Sequence, residues 1–131
     1  MALPVCIETP TEFARYKVSD GTAIPLHTIM KQLNPSAAIA ASAEGDVFAG
    51  IAWEEKTASD GLTEITVAKN GVWDMTEGTG TGSAGAIVMI SDANLICDAA
   101  AANLLTGAVI GKREEDFSAS ETGRVRVGRV V

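Results

Sequence analysis

Aromatic residues make up only 5% of this 131-residue chain. With Ala and Gly abundant, that scarcity excludes a bulky core and predicts a thin, flat one built from small residues. Cysteine is nearly absent: Cys6 and Cys97 stand far apart, with no CxxC and no companion histidines, so neither a metal site nor a redox motif has support and buried free thiols are expected. The one histidine, His27, lies in a proline-bearing segment and reads as a surface or packed residue, not a base. Positive charge is scarce, with 10 Lys and Arg against 17 Asp and Glu and a formal net charge of -7. A nucleic-acid partner, which needs a basic face, is therefore not expected; a basic protein surface suits the chain better. Long apolar runs are missing too, so no signal peptide or membrane span is expected, and the chain should be made and held in a cytoplasm. There is no GxSxG, and the carboxylate pairs Glu54-Glu55 and Glu114-Glu115 are loop neighbours whose side chains point apart. No catalytic residue, metal ligand or cofactor is predicted, and the chain is not expected to be an enzyme.

What is present centres on Gly45 to Met75. Three apolar runs, Val47 to Trp53, Leu62 to Ala68 and Val72 to Met75, are rich in β-branched or aromatic residues and read as strands of a meander. Between the second and third lies Lys69-Asn70-Gly71, whose Asn-Gly pair predicts a tight hairpin folding the third strand straight back on the second. Glu54 to Gly61 reads as a polar loop closing on Ser59-Asp60-Gly61, without a reactive cluster.

Upstream, Met1 to Pro35 holds all four prolines and reads as an N-terminal arm, leaving residues 36–131 as the β-rich domain. Thr9-Pro10-Thr11-Glu12 matches a capping box, so for residues 11–18 a short helix and an extended strand both stay open. A short strand is read near Thr28 to Leu33, and the alanine-rich Ser36 to Glu44 suits a tight sheet. Downstream, Ala86 to Ile90, the turn Ser91 to Asn94 and Leu95 to Cys97 read as strand, turn and strand. Asp98 is placed to cap a brief helix over Ala99 to Leu105, ended by Gly107, after which Ala108 to Gly111 resumes a strand. Glu114 to Gly123 reads as a loop. The final RVRVGRVV alternates Arg124 and Arg126 with Val125 and Val127, one face charged and one buried. A bulge at Gly128 would keep Arg129 and Val130 on those faces.

One motif tempts toward enzymology. Gly80, Gly82 and Gly85 satisfy GxGxxG, with Asp98 at roughly the spacing of a ribose-binding acid. That chemistry needs a parallel strand before the loop and a helix beginning inside it; the flanking sequence predicts strands on both sides. The residues alone thus describe a small, acidic, mainly β domain with an arm and one short helix, an interaction protein before an enzyme.

Order and spacing add a resemblance. Tyr16 to Pro25 (YKVSDGTAIP), Asp46 to Ala52 (DVFAGIA), Asn70 to Met75 (NGVWDM), Gly107 to Lys112 (GAVIGK) and the terminal Arg-Val-Arg-Val together resemble the head decoration, or capsid cement, proteins of tailed bacteriophages, over about Phe13 to Val131. The resemblance implies a small β-barrel or β-tulip domain that forms a homotrimer on the outer surface of the expanded head. There it clamps the major capsid protein against internal DNA pressure, as a virion component. It further implies that an N-terminal segment docks by adding a strand to a sheet edge of the capsid protein. That role is placed on Phe13, Arg15, Tyr16, Lys17, Val18, Asp20 and Thr22; Trp73, Arg124 and Arg126 are candidates for trimer or capsid contacts. Phe48 and Trp53 are expected in the core. Another virion part, of tail or head-tail type, and a small trimeric β enzyme or nucleotide binder are the alternatives.

Overall fold

The computed structural model describes residues 3–128. After β1 (Val5–Glu8), the strands β2 (Phe13–Lys17), β3 (Ile29–Asn34), β4 (Ala37–Ala40), β5 (Phe48–Ala52) and β6 (Glu64–Ala68) close into a first barrel in the order β2-β4-β3-β5-β6. The chain then leaves this barrel and builds a second one. Its strands are β7 (Gly71–Glu77), β9 (Ile87–Asp92), β10 (Leu95–Asp98), β11 (Val109–Arg113) and β13 (Thr122–Val127), in the order β7-β10-β9-β11-β13 with β13 returning to β7. Two short strands, β8 (Thr81–Gly82) and β12 (Phe117–Ser118), pair as a separate ribbon, and α1 (Ala101–Thr106) precedes β11.

Alternation decides which side chains fill each barrel. In β13 the sequence TGRVRV sends Val125 and Val127 inward and leaves Arg124 exposed. The interior they enter also holds Trp73, Met75, Val88, Ile90, Ile96 and Ile110, all nearly or fully buried. The first barrel is filled instead by Tyr16, Val18, Ile24, Met30, Ala38, Ala49, Ala52, Ile65 and Val67. In β5 a simple alternation would put Ala49 and Ala52 on opposite faces, yet both point in. Opposite β3, Met30 faces Gly50 while Lys31 faces Phe48, so an extra residue is bulged out there and reverses the parity. Only glycine fits at 50: its φ is 147°, and a Cβ would sit 2.8 Å from the carbonyl oxygen of Ala68. Ile51 and Phe48 consequently face outward, where Ile29, Ile51 and Ala68 of the first barrel continue the core of the second.

The predicted strands are largely where the apolar runs place them, including β3, β4 and the β9–β10 hairpin. The pairing differs. The predicted Asn-Gly hairpin between the second and third runs does not form: β6 pairs with β2 and β5, while β7 pairs with β13 on one edge and with β1 and then β10 on the other. Asn70 keeps a negative φ, and only Gly71, at 103°, is left-handed, so the pair lacks the two positive φ values of a two-residue hairpin turn. Asn70 has another use. Its Oδ1 accepts from the backbone N–H groups of Thr11 and Glu12 at 2.8 and 3.1 Å, and its Nδ2 donates to Thr11 Oγ1 at 2.8 Å. The two crossings between barrels, residues 9–12 and 69–70, are tied side by side.

The N-terminal segment is not a separate arm. Phe13 to Lys17 lies in register against Ala68 to Glu64 and forms a stave of the first barrel, as strand and not helix. The boundary expected at 35/36 falls in the turn of the β3–β4 hairpin. Asp98 does not cap α1; the N–H of Ala100 donates to Asn103 Oδ1 instead, and Gly107 ends the helix at φ 77° as expected. Gly128 is left-handed at 82°, while Arg129 and Val130 lie outside the described residues.

Candidate partner-binding surface

Inside a stave, side chains alternate between core and solvent, and this divides the residues assigned to docking. Phe13, Arg15 and Lys17 face outward on β2, whereas Tyr16 and Val18 are buried. Tyr16 and Val18 are therefore core residues and not docking residues: closing a five-stranded barrel requires inward side chains from every stave. The Tyr16 hydroxyl accepts from Lys69 Nζ at 2.7 Å. Arg15 reaches across β6 to Thr66 Oγ1 at 2.8 Å and to Glu54 at 3.1 Å. The N–H of Thr66 donates to Glu54 at 2.6 Å, and this bond, then the Thr66 hydroxyl and Arg15, hold the Glu54 carboxyl below its usual range. Thr22 is exposed.

Trp73, a candidate contact, is fully buried in the second barrel, and its Nε1 donates to Asn70 O at 3.1 Å; it offers no surface to a partner. Its ring stands edge-on to Trp53 and His27, at 6.1 and 4.9 Å between centroids, and Trp53 in turn meets the exposed Phe13 at 5.7 Å. This aromatic ladder runs from the interior to the surface between the barrels. Phe48 and Trp53, expected in the core, pack against it but are only partly buried. Arg124 and Arg126 share the outer face of the second barrel. Arg126 bonds Glu114 at 2.9 Å and Glu8 at 3.4 Å, while Arg124 approaches Asp74 at 4.0 Å.

Asp20 belongs to a cluster that the sequence reading missed. Lys56 is buried, and its ammonium donates to four oxygens: Asp60 Oδ1 at 2.7 Å, Asp20 O at 2.8 Å, Asp20 Oδ1 at 3.0 Å and Thr57 O at 3.1 Å. Burial favours the neutral amine, but hydrogen bonds and charge from Asp60 and Asp20 outweigh it and raise the Lys56 pKa. In return, the ammonium and then the N–H of Leu62 lower the Asp60 carboxyl to about 2. Both carboxylates come from the same tripeptide, Ser-Asp-Gly, at residues 19–21 and 59–61. That repeat was the available signal.

The second barrel buries its own cation, Arg113. Its guanidinium bonds Glu77 inside the barrel and, through Nε at 2.9 Å, Asp98 at the rim. Phe117 covers one face, with its ring centroid 4.5 Å from the guanidinium carbon, and Gly82 lies against the guanidinium too, so closely that any Cβ there would overlap it. The glycine-rich loop is thus a cap on a barrel end. The strand β8 pairs with β12 in place of the helix that a dinucleotide site requires, and Asp98 faces Arg113 rather than a ribose. Among the described residues no group of three or more His, Cys, Asp or Glu side chains is placed to hold a metal ion.

Most strand edges are consumed by barrel closure. The strand β1 lies outside both barrels: it pairs with β7 alone and leaves its other edge open, with Val5 and Ile7 exposed. No protein-family model and no curated protein matches the chain.

Proposed function

We propose that this chain is a structural virion protein that decorates the outer surface of an expanded bacteriophage head as a homotrimer and cements neighbouring copies of the major capsid protein. The observation that carries the reading is the ordered set of segments from Tyr16 to the terminal Arg-Val-Arg-Val, which contribute strands to both barrels and the crossing at Asn70. The fold suits such a role, because two closed barrels present few open edges to solvent. The chain thereby resists edge-to-edge aggregation while remaining available through the open edge of β1. Docking through that edge assigns strand addition to Val5–Glu8 instead of Phe13–Thr22, whose strand β2 is paired with β6 along its whole length and held to β4 at Lys17. Several weak contacts per trimer, made at once, resist loss of any single capsid subunit.

The test is co-sedimentation of the purified protein with purified expanded and unexpanded heads. Saturable binding to expanded heads, weakened by deleting residues 1–8, supports the reading and its docking strand. Binding that survives the deletion keeps the function and moves the contact to the barrels. Absence of binding to either form overturns the reading in favour of a tail or head-tail component.

A further inference from the structure

Two long stretches of the chain carry no charge. No charged residue occurs from Leu33 to Ala43 or from Ala99 to Gly111, and the fold brings these two stretches to Val47. The N–H of Gln32 donates to Val47 O, the N–H of Phe48 donates to Gly107 O, and a Cβ at Gly107 would lie 3.6 Å from the Val47 side chain. Three apolar side chains stand out there: Leu105 is 92% exposed, Leu33 56% and Val47 38%. A leucine almost wholly in water, on a six-residue helix with no charged residue, is a surface awaiting cover.

We infer that this face, centred on Leu105, is where copies of the chain meet each other, with the α1 helices gathered around the axis of the trimer. The inference rests on the trimeric reading above. Charge selects the occupant. Each copy carries a net charge of -7, so copies meet at least electrostatic cost through the face where charge is absent. A basic partner would instead be drawn to the acidic surface and would find nothing to pair with here. Size selects the symmetry. A six-residue helix is about 9 Å long, and by itself covers far less than the roughly 800 Å² per partner of a standard two-body interface. Around a threefold axis the same small patch meets two others, and Leu33 and Val47 extend the contact outward.

The test uses the full chain in sedimentation equilibrium and native mass spectrometry. Leu105→Glu changes an exposed side chain, so the far-UV spectrum should be unchanged and the monomer should stay folded, while the association constant falls about a hundredfold or more. A second variant, Leu105→Cys under mild oxidation, reads the symmetry: one disulfide per trimer gives dimer and monomer bands at about 2:1 on a denaturing gel, with the wild-type chain as control for Cys6 and Cys97. An intact trimer in Leu105→Glu overturns the assignment of this face and leaves the decoration reading standing. A wild-type chain that is monomeric at every concentration overturns the self-contact, and head binding by that monomer would hand the face to the capsid protein. Complete dimer with no residual monomer in Leu105→Cys overturns the threefold arrangement.

Discussion

The first barrel admits Ala38, Ala49 and Ala52 beside Tyr16, Met30 and Ile65 and holds its buried cation in a loop, whereas the second is filled by Trp73, Met75 and isoleucines and holds its cation inside the barrel. With the same number of staves, the two solve closure differently. Ala38, Ala49 and Ala52 let the staves of the first barrel approach, and a bulge at Gly50 turns both of the last two inward. In the second barrel bulk fills the interior, and Arg113 with Phe117 occupies the end that a further strand residue would otherwise leave open. The expectation of a thin core of small residues thus holds in full for neither barrel: alanines enter the first beside Tyr16 and Met30, and Trp73, Met75 and Phe117 bulk out the second. Scarce aromatics are divided, with Trp73 and Phe117 in one core and Tyr16 in the other, and composition cannot report where its few large residues go.

The comparison is broken most severely through Arg113 and Glu77. Removing one partner of a buried pair strands the other, so Glu77→Ala should lower unfolding free energy by about 3–5 kcal/mol in urea titrations. Replacing both, in Arg113→Met with Glu77→Leu, should recover most of that loss, as expected of a pair whose desolvation cost rivals its attraction. A valine at Gly82 or Gly123 overlaps Arg113 or Phe117 respectively and should cost about 1–3 kcal/mol by the same measurement. Asn70→Ala, which unties the two crossings, should cost about 1–2 kcal/mol. The smallest effect is expected in the first barrel. Lys56→Met should leave the second barrel's amide exchange unchanged and speed exchange at Ser59 and Gly61, whose N–H groups bond to Asp20.

Acidity separates the two barrels further. Asp60 has a lowered folded pKa of about 2 against an ordinary 3.8, so its contribution to stability is complete above pH 3.8 and is lost as pH falls through about 2. Melting curves should therefore decline between about pH 4 and pH 2, and Asp60→Asn should be less stable at neutral pH but flatter across that window.

These clusters also mark what the sequence could and could not reveal. Strands were legible because β-branched runs are local, and RVRVGRVV announces its buried face. Pairing was not, since a strand's neighbours depend on edges supplied from elsewhere: Asn70-Gly71 looks like a hairpin only while Thr11 and Glu12 are out of view. Lys56 and Arg113 sit in polar stretches, EEKTASDG and KREED, which read as solvated. Only the repeated Ser-Asp-Gly hinted at a shared cation. Of the residues assigned to docking, Phe13, Arg15 and Lys17 face outward while Tyr16 and Val18 are buried, because β2 is a stave, and the open edge of β1 lies earlier, in a stretch that fits no motif.

Both terminal strands lie on β7, one on either side, and both run antiparallel to it. Val5 stands opposite Asp74 and Val127 opposite Gly71, so the chain enters at one end of β7 and leaves toward the other. Tension applied between the two ends loads these ladders in shear, where all hydrogen bonds share the force, rather than peeling them apart one at a time. A molecule strained through its termini would hold until the whole ladder slipped together, the mechanical behaviour of a rivet and not of a zipper.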